Sequence, residues 1–371
     1  MTESSSQGFD REDPTVLTLD AGGTNFSFAA LRGGVQVAGP YVLPSEATDR
    51  SRSLANLVAG FERMAEEAGA ATDAISFAFP GPADYEAGVT FNVGNLPAYG
   101  DGLPLGDLLS EHFGVPVLIN NDGNLFAVGE AIYGRLPEIN RRLEEAGSHR
   151  RYRNLIGLTL GTGFGGGVVV DGELLRGDNG LAGEVWLLRH GFSSNLNAEE
   201  GISIRAVSRA YADAARDDPQ ASRRSPKEIA RIADGAIEGD QGAAIAAYAS
   251  FGRALGDAIA STITLIDGLV VIGGGLSHAH THFMPSLLGV VAGAFSTAPD
   301  SPRRLVQCVY NLESDVETAA FLSPEGPKEE KRRTPRQPRS AVAISRLGAN
   351  QAVALGAYEL AARHLADPSI K

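Results

Sequence analysis

The 371-residue chain is 43% apolar and carries a formal charge of −13, from 32 Lys and Arg against 45 Asp and Glu. This is the composition of a globular protein with a sizeable core, and its negative balance excludes nucleic acid or an anionic membrane as the main partner, since both need a cationic face. One cysteine, Cys308, allows neither an internal disulfide nor a cysteine-cluster zinc site.

Residues 1–15 are polar and acidic, so a disordered tail is expected there. They contain no signal-type apolar segment, and no apolar stretch in the chain approaches the ~20 residues that span a bilayer, so a cytoplasmic protein is expected. TVLTL reads as a strand, and FSFAALRGGVQVAG as a hairpin turning at Arg32, Gly33 and Gly34. Leu54, Leu57, Val58, Phe61, Met64, Ala65 and Ala68 recur at helical spacing and stop at Gly69, which suits a helix C-cap. ISFAF and VPVLIN read as short buried strands, the second leading into a helix after Asp122. Residues 137–154 read as a surface insertion.

The second half repeats this order. NLIGLTL is a strand, a glycine turn follows, and GVVVDGELL is a hairpin through Asp171 and Gly172. GAAIAAYASFGRALGDAIASTITLIDG reads as a long, buried helix running into the strand LVVIGGG. Residues 323–340, rich in proline and charge, read as an exposed insertion loop. A strand and an amphipathic helix close the chain. Strands alternating with helices imply a mixed α/β protein.

Two stretches have nearly the same layout, LTLDAGGT at residues 17–24 and LTLGTGFGGG at 158–167. The second satisfies the G-x-G-x-x-G dinucleotide pattern, but that pattern needs a helix at its third glycine, and here a strand continues. A glycine turn between antiparallel strands has another use: its backbone N–H groups can approach phosphate oxygens, and a threonine hydroxyl adds a donor. A lone copy would be read as a tight hairpin. Two copies point to duplicated lobes holding a phosphate chain, and Asp20 then suits a Mg2+ ion held through water. The structural alternative for Asp20 is a turn cap.

These turns occur with FPGPAD, GNLPAY, INNDGNLFAVGEA, a GLAGE segment and LIDGLVVIGGGLS, in that order from about Val16 to the last helix. The set resembles the ROK family (repressors, open reading frames, sugar kinases) within the actin-like and hexokinase-like ATPases. The resemblance implies a two-lobed α/β fold, actin-like and built from a duplicated ribonuclease H-like unit, with mixed sheets and an interlobe cleft. The small lobe is expected at 16–119 plus 350–367, and the large lobe at 120–349.

The resemblance also implies an ATP- and Mg2+-dependent hexose kinase of the glucokinase kind, with sugar and ATP as small-molecule partners and the homodimer common among relatives. Its alternative is a non-catalytic sugar-binding or regulatory protein. The short stretch before the first strand leaves too little room for the helix-turn-helix of the family's repressors. Asp122 matches the general base and Asn121 a sugar ligand beside it, although Asp122 also stands where a helix N-cap belongs. Gly81 lies in the P-G-P turn on the substrate side. Gly22, Gly23, Thr24 and Asn25, with Gly161, Thr162 and Gly163, match the two phosphate turns, and Gly274 and Gly275 the turn beside adenosine. Glu184 matches the sugar-loop glutamate, and Glu199, with Glu200 as its substitute, the second sugar carboxylate. Leu187 stands where zinc-containing relatives have a histidine, and the thiols are missing, so no zinc site is expected and the sugar is left open.

Overall fold

The computed structural model describes residues 13–81, 83–91, 94–216, 218, 220–296, 298, 300–324 and 337–368. The chain forms two compact units, the first running to Leu125 and including Asp178–Gly180 and the chain from Asn350, the second made of the rest.

The first unit opens with three antiparallel strands, β1 (Thr15–Ala21), β2 (Asn25–Arg32) and β3 (Val35–Pro44). Helix α1 (Arg50–Ala68) follows, then β4 (Ala74–Ala78). A small antiparallel sheet comes next, made of β5 (Ala83–Asp84), β6 (Val89–Thr90) and β7 (Leu103–Pro104). Helix α2 (Leu105–Phe113), β8 (Val117–Asn120) and the start of α3 (Asp122–Ile132) complete the run. The main sheet has the order β3-β2-β1-β4-β8, with β4 and β8 parallel to β1.

Helix α1 forms where the apolar spacing indicates it. Asp49 accepts from Arg52 N–H at 3.1 Å as N-cap, and Gly69 closes the helix at φ 62°. Leu57, Phe61 and Met64 are buried, and Gly60 lets the helix settle on Phe28, since a Cβ there would lie 2.3 Å from the ring. Phe26, Phe28, Phe61, Phe77, Phe79 and Tyr99 form a chain of edge-on and tilted ring contacts, which makes this core stiff as well as apolar.

The second unit takes the rest of α3, then α4 (Arg135–Glu145), β9 (Leu155–Leu160), β10 (Phe164–Val170) and β11 (Glu173–Leu174). Helices α5 (Ile204–Ala214), α6 (Pro226–Ala233) and α7 (Gln241–Ile266) lead to β12 (Leu269–Gly273). Then come α8 (His280–Val291), β13 (Cys308–Asn311), α9 (Asp315–Leu322) and β14 (Arg339–Ile344). The closing helix α10 (Ala349–Ala366) belongs to the first unit from Asn350. The second sheet runs β11-β10-β9-β12-β14-β13, again three antiparallel strands followed by parallel ones. The plan of the first sheet is therefore used twice, as the paired glycine turns imply. Its largest packed element is α7, where Gly252 and Gly256 admit the backbone of α8: a Cβ at either would lie within 2.6 Å of a carbonyl of Phe283 or Leu287.

Three boundaries differ from the sequence reading. Residues 137–154 are not an insertion loop throughout: α4 buries Leu136, Ile139 and Leu143 on one face. Arg135 is wholly buried between Glu138 at 3.0 Å and Glu313 at 2.9 Å. Pro137 is tolerated because it stands in the first turn, where its missing N–H has no helical partner to lose. Of the expected tail, residues 1–12 lie outside the described residues, while Thr15 is a buried member of β1. Of the expected loop 323–340, residues 325–336 lie outside them, and β14 already begins at Arg339. Its guanidinium Nη1 donates to the carbonyls of Ala320, Phe321 and Ser323 at the end of α9, a favourable place for a cation. Among the described residues no helix is long and apolar enough to cross a membrane.

Candidate active site

In the first unit the chemistry collects at the carboxyl ends of the parallel strands, where open α/β sheets leave room for ligands. Asp20 pairs in register with Ala78, and Ala78 with Asn120, so β1, β4 and β8 end in one row. The ends of β1 and β8 are thus roughly 10 Å apart across the sheet. Asp20 is the one exposed residue of β1.

Beyond Asn120 the chain turns directly into α3. Asn121, not Asp122, is the residue that caps the helix: its Oδ1 accepts from Asn124 N–H at 2.6 Å. Asn120 holds this turn from below, its Oδ1 accepting from Asn121 N–H and Asn124 Nδ2, each at 2.9 Å. Asp122 becomes the first helical residue, its Oδ1 accepting from Gly123 N–H at 2.9 Å. Asp20 and Asp122 both keep solvent contact. Even so, protein crowded around Asp122 withdraws enough water to push its carboxyl above the usual range, more than the Gly123 amide offsets. Asp20 is raised for the same reason, and the negative charge of Asp122 adds to it.

The first glycine turn is locked from within. Gly22 N–H donates to Asn25 C=O at 3.0 Å, and Ser45 fastens the far side, its hydroxyl donating to Gly23 C=O at 2.6 Å. Gly23 is closely approached: a Cβ there would sit 3.1 Å from the carbonyl oxygen of Asn95, in the GNLPAY segment, and would make that neighbour give way. Thr24 and Asn25 are exposed at its tip. Gly81 is exposed, with Tyr85 packed close enough that a Cβ would lie 2.9 Å from its hydroxyl.

The second unit gathers its candidates around the other glycine turn. Gly161 N–H donates to Gly163 C=O at 3.0 Å, and Gly161 C=O accepts from Ile204 N–H at 2.9 Å, at the start of α5. Gly274 follows β12 with φ 85° and ψ 170°, and a Cβ on it would lie 2.4 Å from the carbonyl oxygen of Leu160. Gly275, by contrast, has open space around it. Glu199 reaches the turn itself: Oε2 accepts from Phe164 N–H at 3.1 Å, and Oε1 from Arg205 at 2.7 Å. Glu200 shares Arg205 with it at 2.9 Å but turns its other oxygen to Arg209 at 3.1 Å instead of to the turn, and these two arginines hold its carboxyl below the usual range. The structure thus separates two neighbours that the sequence leaves interchangeable.

Glu184 opens a short 3-10 turn, Val185–Leu187, and accepts a hydrogen bond from the indole N–H of Trp186. Leu187 is exposed, and the ring of His190 lies against Gly201. Asn120, Asn95, Arg205 and Trp186 are the neighbours that sequence reasoning did not single out. Asn120 and Asn95 stand inside quoted motifs, so adjacency to the motif was the available signal.

The ROK family model matches residues 16–309 of this chain. The chain belongs to the ROK family. Its structure resembles a glucokinase structure from Parabacteroides distasonis, which is 47% identical, with a TM-score of 0.83, and the match covers 96% of this chain and 99% of that one. The fold is accordingly the mixed α/β, actin-like ATPase fold of ROK proteins. Among curated relatives, a Halalkalibacterium halodurans glucokinase is 29% identical over 47% of this chain and 49% of its own length. An N-acetyl-D-glucosamine kinase of Vibrio vulnificus is 32% identical over 46% of this chain and 51% of its own length. The chain therefore spans about half the length of these curated relatives.

Proposed function

We propose that this ROK protein is an ATP- and Mg2+-dependent hexose kinase of the glucokinase kind. The observation that carries the proposal is the division of labour at the start of α3, where Asn121 caps the helix and leaves Asp122 available as a base. A sugar hydroxyl is a poor nucleophile until a carboxylate within hydrogen-bond reach takes its proton, and a carboxyl raised above its ordinary range is a better base for that task. The glucokinase structure that matches over nearly its full length supports the same reading.

The other residues take roles by position. The Gly22 and Gly161 amides already bond inside their turns, so Gly23, Thr24 and Asn25, and Thr162 and Gly163, are the candidate donors to phosphate oxygens. Gly274 and Gly275 let adenosine approach the backbone, Asn121 and Gly81 border the sugar, and Glu184 accepts from its hydroxyls. Glu199, tied to Phe164 and Arg205, shapes the second turn first and reaches sugar only with what acceptor capacity remains.

Asp20 suits Mg2+ held through water. Its carboxyl already feels the negative charge of Asp122, so a cation there relieves a repulsion present in the fold. Such an ion would arrive on phosphate oxygens and take this one protein carboxylate. When bound, Mg2+ neutralises charge on the transferring phosphoryl group.

The test is ADP release with ATP and Mg2+ against glucose, mannose, fructose, allose, N-acetylglucosamine and N-acetylmannosamine. Release that depends on one of these sugars is the expected result. Sugar binding by calorimetry with no sugar-dependent release would overturn the kinase and leave a sugar-binding protein.

A further inference from the structure

Glu184 has no histidine beside it at position 187, yet its carboxylate is not left to swing. Trp186 donates its indole N–H to Oε2 of Glu184. The indole is half-buried and packs on the apolar core of the second unit, so few rotamers are open to it. The turn that carries it is pinned as well: Val185 is buried against Gly166 of β10, where a Cβ would lie 2.7 Å from the valine side chain. Core, indole and carboxylate are thus in series.

We propose that Trp186 is the positioning residue for Glu184, fixing the carboxylate that accepts from sugar hydroxyls where Leu187 offers no donor. The inference rests on the reading of Glu184 as a sugar ligand. A carboxylate has about four acceptor positions, so the indole takes one and leaves the rest for hydroxyls, at an orientation set by the core. The chemistry so served is a polyhydroxylated ring whose neighbouring hydroxyls both donate to one anchored carboxylate. Trp186 is also the only tryptophan of the chain, so its emission reports the site directly.

The experiment compares wild type, Trp186→Phe, Trp186→His, Glu184→Gln and the Trp186→Phe/Glu184→Gln double variant in ATP-dependent phosphorylation of glucose, or of N-acetylglucosamine if glucose is not turned over. Loss of one hydrogen bond to a charged group predicts a sugar KM raised about tenfold in Trp186→Phe. The turnover number and the KM for ATP should stay within about twofold, since an interaction shared by ground state and transition state is what is lost. Histidine, which retains an N–H, should recover part of the loss, and the double variant should be no worse than Glu184→Gln alone. Sugar should shift the wild-type emission and leave that of Glu184→Gln unmoved.

An unchanged sugar KM in Trp186→Phe, with Glu184→Gln impaired, overturns the positioning role while sparing Glu184. A rise in ATP KM together with a lowered melting temperature makes Trp186 a packing residue only, and also overturns it. An unchanged KM in Glu184→Gln removes Glu184 as a sugar ligand and the inference with it, as does absence of turnover with both sugars.

Discussion

Asp122→Asn should lower turnover by about 10³-fold, the scale of a lost general base, while sugar affinity measured by calorimetry stays close to wild type. Asparagine keeps the size of the side chain and an acceptor for Gly123 N–H, so the α3 cap on Asn121 is not disturbed. Turnover within a factor of a few of wild type would remove Asp122 as the base. The same carboxyl sets a pH dependence. Crowding raises it, so the acidic limb of kcat/KM should lie above the ordinary carboxylate range.

The raised pKa has a consequence for stability with the opposite sign to the catalytic use proposed for it. A carboxyl whose pKa is higher folded than unfolded favours the fold while protonated, and that contribution is lost as pH rises through the folded pKa. At neutral pH the ionised Asp122 therefore works against folding, and Asp122→Asn should melt at a higher temperature than wild type in the absence of ligand. The gap should close on acidification. Equal melting temperatures at neutral pH would show that the site is better hydrated than its crowding indicates.

Gly274→Ala should cost about 4 kcal/mol, from roughly 1–3 for a backbone region open almost only to glycine and roughly 1–3 for overpacking. Both arise at one atom: at φ 85° and ψ 170° the new methyl would meet the oxygen and nitrogen of Leu160 at 2.4 and 2.7 Å. Leu160 immediately precedes the second glycine turn, so what structure survives should bind ATP more weakly than sugar. Gly289→Ala is the control. It lies in α8 with nothing within 4 Å of a Cβ, and should be neutral or stabilising by roughly 0.5–1 kcal/mol, the helical difference between the two residues. Denaturant midpoints for the two variants decide the matter, and equal midpoints would contradict the Gly274 geometry.

What the sequence revealed and what it hid have local causes. The two hairpins and their glycine turns were legible because alternating apolar residues and paired glycines are signals within ten residues of each other. Helix α4 was hidden because Arg, Glu and Pro dominate its composition, although Leu136, Ile139 and Leu143 keep one face apolar. Asn121 and Asp122 are both good caps one position apart, and only the folded turn decides which side-chain oxygen meets the Asn124 amide. Glu199 and Glu200 differ in direction rather than type, a difference that adjacent residues of a short 3-10 turn do not write into a pattern. The Trp186 contact to Glu184 joins residues two apart in such a turn, outside any helical or strand period.

Laid over each other, the two glycine turns place Asp20 opposite Gly161, LTLD against LTLG. Packing does not demand that second glycine: a Cβ at 161 would meet nothing within 4 Å, and its φ lies outside the left-handed region. The duplicated frame is thus symmetric in architecture but not in the source of its carboxylate: the first turn carries its own in Asp20, whereas the second takes one from Glu199, already tied to Phe164 N–H and to Arg205. A charge written into the first turn is, in the second, supplied from outside it and already shared with an arginine, so the two copies can diverge in chemistry while the frame stays the same.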